Sequence, residues 1–310
     1  MSDRNTLSIQ NVLIYGYGVM GKAVANTFTK ANFNVSVVSS RAKQHSTIYE
    51  EMSFYEELPE ETPDLVIEFV PENLVDKKEV YRLVEDKYKG APLISSGTSG
   101  LDLIKLASDL AFPEKFLGLH YFMPAETTSV VEVMAGPSCP KEDIDLVSKI
   151  LNKTGKETVV LYQPVVGFLI NRLQHIILHE CYNLIEDGVA SPEDIDMSAR
   201  KMLGPRMCLN GLIQQKDISG LKIHADAQRS IVPELHPIDT PNQMLQNMVN
   251  RGEGGLSDGE GFYDWSGLDV QKVREQASSR LTDLSKYLAS DSDQEIIEPK
   301  PRSFDKLVGK

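Results

Sequence analysis

The chain of 310 residues is long enough for two domains, and its 41% hydrophobic content excludes a wholly disordered protein. The net charge of -13 argues against a surface that binds nucleic acid, because such a surface needs an excess of lysine and arginine. No apolar run is long enough to cross a bilayer. We therefore expect a small-molecule substrate, and neither a nucleic-acid nor a membrane partner.

The N-terminal residues and the cysteines bear on the cellular compartment. The N-terminal residues lack the apolar core of a secretory signal peptide. Cys139, Cys181 and Cys208 are odd in number and far apart, which favours reduced thiols. No group of cysteines and histidines has the spacing of a zinc site. These features predict a cytoplasmic protein without a bound metal.

Short apolar strands alternate with helices through the first half of the chain. The predicted strands are Val12–Tyr15, Val35–Ser39, Leu65–Val70, Pro92–Ser95, Leu117–Phe122, Val130–Met134 and Thr158–Leu161. The predicted helices between them are Lys22–Lys30, Glu72–Lys87, Leu101–Asp109 and Lys141–Asn152. This alternation is typical of a parallel sheet that is covered by helices on both faces.

The pattern becomes helical after Gly167. Phe168–Glu186 is predicted as one long helix, Ser191 begins the next, and a charged helix runs to about Ala289. We therefore predict an α/β Rossmann-type doubly wound sheet followed by an all-α C-terminal domain. The predicted boundaries are residues 1–163 for the dinucleotide-binding domain, 164–290 for the helical substrate and dimerisation domain, and 291–310 for a mobile tail.

A glycine-rich loop follows the first predicted strand. Gly16, Gly18 and Gly21 form the pattern G-x-G-x-x-G between a buried strand and a helix. The first glycine permits a tight turn, the second permits close approach of a pyrophosphate, and the third permits close packing of helix on strand. With the intervening Val19 and Met20, these glycines are predicted to bind the phosphates of a dinucleotide at the helix N-terminus.

The residues after the second strand bear on the choice of nicotinamide cofactor. A fold that binds NAD usually has Asp or Glu there, to bind the ribose 2′-hydroxyl. This chain has Ser39, Ser40 and Arg41, with Lys43 close by. Hydroxyl and cationic groups receive a 2′-phosphate, whereas a carboxylate repels it. The sequence therefore favours NADP, with NAD as the alternative; a solvated loop with incidental charge is the remaining interpretation.

Several short segments together carry a family resemblance over about residues 10–266. They are Gly16–Gly21, Glu68–Asn73, Ser95–Ser99, Gly118–Phe122, Val131–Val133, Val166–Leu173 and Gly259–Trp265. In these segments, and in their order, the chain resembles the 3-hydroxyacyl-CoA dehydrogenase family, which includes the L-gulonate 3-dehydrogenase and lambda-crystallin branch. The resemblance implies a nicotinamide-dependent oxidoreductase.

The resemblance also implies roles for four side chains. His120 matches the general base of the family, and Glu132 matches the carboxylate that orients this base. Ser99 matches a contact to the substrate oxygen, and Asn171 matches the polar group that faces the reacting centre. Oxidation of a secondary alcohol needs a proton acceptor with a pKa near neutrality, which a histidine supplies. His120 and Glu132 end adjacent predicted strands, so we expect them to pair across the sheet.

Other positions match the family or depart from it. Glu72 and Lys77 match residues that line the cofactor site. Family members usually have Asn in place of Gly97 and an Asn-Pro pair where this chain has Met123 before proline. They also have a long helical hairpin after the second strand, for which only Ser40–Pro63 is present here. Because that hairpin helps to hold CoA, its shortening weakens the assignment of a CoA substrate.

These observations predict interconversion of a 3-hydroxyacyl group, on CoA or a related thioester, and its 3-oxo form. The alternative substrate is a free 3-hydroxy acid, as in the gulonate branch. A third interpretation is a catalytically idle binding or structural protein, which the retained site residues disfavour. The mechanism of 6-phosphogluconate-type dehydrogenases needs a lysine where this chain has Gly167, and is also disfavoured. The resemblance finally implies a homodimer formed by the helical domain.

Overall fold

One sheet organises the first part of the protein. The computed structural model describes residues 9–45, 51–290, 299–303 and 306–307. Its strands are β1 (Asn11–Tyr15), β2 (Asn34–Val38), β3 (Ser53–Tyr55), β4 (Leu65–Glu68), β5 (Leu93–Ser96), β6 (Phe116–Tyr121), β7 (Val130–Ala135) and β8 (Glu157–Leu161). They lie in the order β3-β2-β1-β4-β5-β6-β7-β8. Neighbouring strands are parallel except β6 and β7, which are antiparallel.

Helices separate the strands and then continue alone. Those of the sheet region are α1 (Val19–Lys30), α2 (Ala42–His45), α3 (Leu74–Tyr88), α4 (Leu103–Ala107) and α5 (Lys141–Lys153). Those that follow are α6 (Ile170–Glu186), α7 (Pro192–Ser198), α8 (Gly204–Asn210), α9 (Gln214–Ser219), α10 (Leu221–Ile231), α11 (Gln243–Asn250) and α12 (Val270–Ala289). The predicted fold class, a doubly wound sheet followed by helices, is confirmed.

Side chains of β1 alternate between two hydrophobic cores. Val12 and Ile14 join the core that contains Phe28 of α1. Leu13 points the other way and joins the core that contains Tyr81 of α3. All five side chains are buried. Burial of one large apolar side chain contributes about 1.5–3 kcal/mol, so packing on both faces holds the central strand in place.

The structure adds two short elements and moves several helix starts: α1 begins three residues earlier than predicted, and α3 and α4 each begin two residues later. The three-residue strand β3 and the four-residue helix α2 lie between β2 and β4, where the sequence predicts no element. No long helical hairpin occurs in the described residues of this connection. Helix α6 begins at Ile170 rather than at the predicted Phe168, because Phe168 has a left-handed φ of 54° and cannot continue the helix.

The chain divides into two compact units, Met1–Ile177 and Leu178–Lys310. The division falls inside α6, whereas the sequence places a boundary after residue 163. Within the second unit, the His236 imidazole binds Glu180 and Asp187 at 3.0 Å each. Residues 291–298, 304–305 and 308–310 of the predicted mobile tail lie outside the described residues. No helix in the described part of the chain is both long and apolar enough to span a membrane.

The carboxyl ends of β1 and β4 define where a ligand can enter the sheet. The strand order reverses between these two neighbours, and doubly wound sheets bind ligands in the crevice at such a point. Gly16 follows β1 with a φ of 97°, and a Cβ atom there would lie 2.8 Å from the carbonyl oxygen of Phe69. Glycine at position 16 therefore permits both the turn and the close approach of the two strand ends.

Replacement of Gly21 by alanine should destabilise the fold. A Cβ atom at position 21 would lie 1.9 Å from the carbonyl oxygen of Gly16, so the backbone would have to move. We expect Gly21→Ala to lower the free energy of unfolding by about 1–3 kcal/mol, measured by urea denaturation. Gly18→Ala is the matched control, because no atom lies within 4 Å of its added methyl group. Equal destabilisation by both substitutions would contradict this packing argument.

Candidate active site

His120 and Glu132 form a buried pair across the antiparallel strands β6 and β7. The strand register places the two residues directly opposite each other, as the sequence predicts. His120 Nδ1 lies 2.7 Å from Glu132 Oε2, and the side chains are buried. Donation from Nδ1 to the carboxylate leaves Nε2 as the proton acceptor. Nε2 has no hydrogen bond to any residue that the structure describes.

The second oxygen of Glu132 binds the beginning of α6. Glu132 Oε1 accepts hydrogen bonds from the backbone N–H groups of Leu169 and Ile170, both at 2.9 Å. These amides have no partner within the helix, and the positive end of the helix dipole favours a carboxylate there. Sequence reasoning missed this contact. The sequence does contain one indication of it. No Ser, Thr, Asp or Asn directly precedes α6, so the cap of this helix has to come from elsewhere in the chain.

Two aromatic rings enclose the imidazole of His120. The ring centroid of Phe122 lies 4.4 Å from that of the imidazole, and the centroid of Phe168 lies 5.0 Å away. Phe168 is fully buried, and it immediately precedes the two amides that bind Glu132. The histidine therefore has a carboxylate on one nitrogen and apolar surfaces beside its ring. The predicted site residues did not include either phenylalanine.

Ser99 and Asn171, predicted as substrate contacts, are brought together by the fold. The Asn171 side chain donates from Nδ2 to the carbonyl oxygen of Ser99 at 2.7 Å. The Ser99 hydroxyl is exposed and has no hydrogen bond to a described residue. The described contacts do not join either residue directly to His120. The connection runs through α6, whose first amides bind Glu132 and whose next residue is Asn171.

Glu72 holds the turn that carries Ser99. Its Oε1 atom accepts hydrogen bonds from the Thr98 hydroxyl at 2.5 Å, from Ser99 N at 2.8 Å and from Gly100 N at 3.3 Å. Burial alone would raise the pKa of Glu72, but the hydrogen bonds from Thr98 and Ser99 and the charge of Lys77 lower it below the usual value. Glu72 is thus an ionised acceptor that shapes the turn after β5.

Lys77 is buried beside two carboxylates. Its ammonium lies 2.8 Å from Glu68 Oε1 and 3.3 Å from Glu72 Oε2. The Tyr81 hydroxyl donates to Glu68 Oε2 at 2.6 Å. Burial and the adjacent Glu68 charge raise the pKa of Tyr81 well above its usual value, so this hydroxyl stays a donor. The buried lysine neutralises Glu68 and also reaches the carboxylate that shapes the Ser99 turn.

The glycine loop fits a dinucleotide pyrophosphate. Gly18 precedes α1 without a side-chain cap, and no acidic residue occupies the first turn of this helix. A Cβ atom on Gly18 would meet nothing within 4 Å, so the loop is open on that side. The amides of Val19, Met20 and Gly21 lie in the first helical turn, which favours an anion. These residues would therefore hold the phosphates of the cofactor.

The segment after β2 presents the groups that the sequence assigns to the ribose. The Ser39 hydroxyl accepts a hydrogen bond from the backbone of Arg41 at 3.2 Å. Ser40 and Arg41 are exposed. Lys43 forms an exposed ion pair with Glu56 at 3.3 Å, so part of its charge is compensated there. Among the described residues, no group of three or more metal-binding side chains occurs.

Two family models match the chain over most of its length. The model described as "3-hydroxyacyl-CoA dehydrogenase, NAD binding domain" matches residues 42–164. The model described as "3-hydroxyacyl-CoA dehydrogenase, C-terminal domain" matches residues 167–265. The chain therefore belongs to the 3-hydroxyacyl-CoA dehydrogenase family, which confirms the resemblance in the sequence motifs. It is accordingly an oxidoreductase that acts on CH–OH groups with a nicotinamide cofactor.

The individual relatives of the chain are named for different substrates. It is 27% identical to a 5-formyl-3-hydroxy-2-methylpyridine 4-carboxylate 5-dehydrogenase from Mesorhizobium japonicum, over 73% of each chain. It is 29% identical to a probable 3-hydroxyacyl-CoA dehydrogenase from Caenorhabditis elegans, over 83% of this chain and 93% of the relative. A solved structure of a 5-formyl-3-hydroxy-2-methylpyridine 4-carboxylic acid 5-dehydrogenase has a TM-score of 0.82, with 24% identity over 92% of this chain and 100% of that chain. This last similarity supports the fold.

Proposed function

We propose that the protein interconverts a 3-hydroxyacyl group and its 3-oxo form by hydride transfer to or from a nicotinamide cofactor. The observation that carries this proposal is the buried contact between His120 and Glu132, 2.7 Å long, with Nε2 left as a proton acceptor. Abstraction of a hydroxyl proton needs such an acceptor close to the reacting carbon. The bound cofactor supplies the acceptor for the hydride.

The proposed chemistry gives each site residue one role. His120 Nε2 accepts the proton of the substrate hydroxyl, and the carboxylate of Glu132 stabilises the imidazolium that results. The free hydroxyl of Ser99 and the side-chain amide of Asn171 are the groups proposed to bind the substrate oxygen. In the reverse direction, the imidazolium returns its proton to the alkoxide as it forms.

Two forms of the substrate are supported by different observations. Relatives named as 3-hydroxyacyl-CoA dehydrogenases favour a thioester, including the Caenorhabditis elegans protein at 29% identity. The connection between β2 and β4 favours a free 3-hydroxy acid, because its described residues form only short elements and expose carboxylates such as Glu51 and Glu57. These carboxylates would repel the phosphates of CoA. The Mesorhizobium relative is named for a free pyridine carboxylate, which also favours an acid without CoA.

A substrate matrix combined with a variant of His120 tests the proposed reaction. NADH and NADPH are each supplied with acetoacetyl-CoA and with free 3-oxo acids, and cofactor absorbance is followed. We expect His120→Gln to reduce turnover by about 10²- to 10⁴-fold with cofactor affinity unchanged, because only the proton acceptor is lost. His175→Gln, an exposed histidine of α6, is the matched control and should keep full activity. Full turnover by a folded His120→Gln protein would remove this residue from the mechanism.

We also propose that the preferred cofactor is NADP. Ser39 and Ser40 offer hydroxyl groups after β2, and the exposed guanidinium of Arg41 has no ion pair with any described residue. Arginine binds a phosphate through two parallel hydrogen bonds, and an aspartate or glutamate that would bind the ribose of NAD is absent from positions 39–41. Lys43 contributes less, because Glu56 lies beside it.

Cofactor titration of an Arg41 variant tests this preference. The intact protein should bind NADPH more tightly than NADH, and Arg41→Ala should weaken NADPH binding roughly tenfold to a hundredfold, or about 1.5–3 kcal/mol. NADH binding should not change, because NADH lacks the 2′-phosphate. Arg82→Ala is the control, since Glu79 and Asp86 already bind that guanidinium. Tighter binding of NADH by the intact protein would refute the NADP assignment.

The second unit is proposed to form a homodimer. Helices α6 to α10 contain no buried side chain, and Asn242 and Met248 are the only buried residues described in this unit. Large apolar side chains are left exposed, among them Leu209, Ile213 and Ile223. Exposed apolar surface on this scale marks an interaction site, and a second copy is the commonest partner.

Sedimentation of single variants tests the proposed dimer. The intact protein should sediment with the mass of two chains, and Ile213→Asp should shift it towards one chain, because a buried unpaired charge opposes association. Val75→Asp is the matched control: Val75 is 77% exposed and lies on α3 of the first unit, whereas Ile213 is 79% exposed. A single-chain mass for the intact protein at micromolar concentration would contradict the proposal.

A further inference from the structure

Phe168 adopts a backbone conformation that phenylalanine rarely takes. Its φ is 54°, and the preceding Gly167 has a φ of 83°. The left-handed conformation is unfavourable for a bulky residue, because its Cβ atom approaches the following carbonyl oxygen. Strained conformations of this kind persist where the surroundings enforce them, and they concentrate at functional sites. The side chain of Phe168 is nevertheless fully buried.

The turn at Phe168 directs backbone and side chain to the same pair of residues. The next two amides, of Leu169 and Ile170, donate to Glu132 Oε1. The ring points inward and lies 5.0 Å from the imidazole of His120, at an interplanar angle of 41°. One short segment thus contacts the base through its ring and the partner of the base through its amides.

The ring of Phe168 packs next to Gly118 of strand β6, which has no side chain to fill that space. A Cβ atom on Gly118, two residues before His120 on β6, would lie 2.8 Å from Leu103 Cδ1 and 3.0 Å from Phe168 Cζ. Because side chains alternate along a strand, position 118 lies on the same face as His120. With Phe122 at 4.4 Å, the ring of Phe168 leaves the imidazole little freedom to rotate.

We propose that Phe168 is a positioning residue that keeps the His120 ring at the angle at which Nδ1 meets Glu132 and Nε2 faces the substrate. This inference rests on the proposed role of His120 as the base. A smaller side chain at position 168 lets the imidazole tilt, so its hydrogen bond to the carboxylate lengthens and its tautomer becomes mixed. The substitution then slows the chemical step and leaves the affinity for substrate and cofactor unchanged.

The test compares Phe168→Leu with Phe116→Leu, which removes the same atoms from the same hydrophobic core. Phe116 is also fully buried on β6, but its ring contacts Tyr81 and not His120. Two measurements are made on each protein. The first is kcat and KM with acetoacetyl-CoA or acetoacetate, whichever the intact protein reduces. The second is the tautomer of His120 from long-range nitrogen–proton NMR spectra, assigned with His120→Gln.

We expect Phe168→Leu to lower kcat roughly tenfold to a hundredfold, because a small misplacement of a catalytic group has effects of that size. KM and cofactor affinity should stay within about twofold by the same argument. The NMR signal should change from the single tautomer with a proton on Nδ1 to an average of two tautomers. Phe116→Leu should lower thermal stability while leaving kcat and the tautomer unchanged.

The inference is overturned if Phe168→Leu matches Phe116→Leu in both kcat and tautomer. Should Phe168→Leu not fold, Phe168→Met replaces it, since methionine fills much of the space of the ring but presents no flat face to the imidazole, and it should mix the tautomers in the same way. An unchanged tautomer in Phe168→Met also overturns the inference. Failure of the proposed function gives a different result: the His120→Gln protein keeps its turnover, independently of the kcat of the Phe168 variants.

Discussion

Glu132 accepts three hydrogen bonds inside the protein, one from the His120 imidazole and two from the first amides of α6. This single carboxylate therefore joins β7, β6 and α6 at the place where the reaction is proposed to occur. Its cost of burial is offset by donors on both oxygens, as buried charges require. The same carboxylate orients the base and caps the start of a helix, so removal of its charge would disturb both.

A second carboxylate organises the other side of the site in a similar way. Glu72 accepts from the turn that carries Ser99, and the buried ammonium of Lys77 holds it in place. Asn171 then links that turn to α6. The positions of the polar groups are thus set by contacts within the protein, before any ligand binds. Preorganisation of this kind lowers the reorganisation needed during reaction.

Much of the fold could be predicted from the sequence because strong local patterns carry it. The apolar run of β1 and the glycines after it fix a strand, a turn and a helix within a few residues. The pairing of His120 with Glu132 could be predicted because both end strands joined by a short turn. The strand β3 could not, because Ser53–Tyr55 has only three residues and Phe54 alone among them is partly buried, so the alternation is too short to detect.

The contacts that sequence reasoning missed are those between distant parts of the chain. Glu72 binds the amide of Ser99 across 27 positions, and Glu132 binds the amide of Leu169 across 37. Backbone amides have no identity in a sequence, so a pattern of side chains does not reveal them. The left-handed conformation of Phe168 is hidden for a related reason, since tertiary packing and not local preference imposes it.

The strand β3 has a consequence for the behaviour of the sheet in concentrated solution. It forms one edge of the sheet, and an edge strand offers free backbone groups to other chains. This edge is only three residues long, and exposed carboxylates at Glu51, Glu56 and Glu57 surround it. Mutual repulsion of these charges keeps a second sheet from adding to the edge at neutral pH. The short length of the edge and its charge together protect the sheet against pairing with another chain.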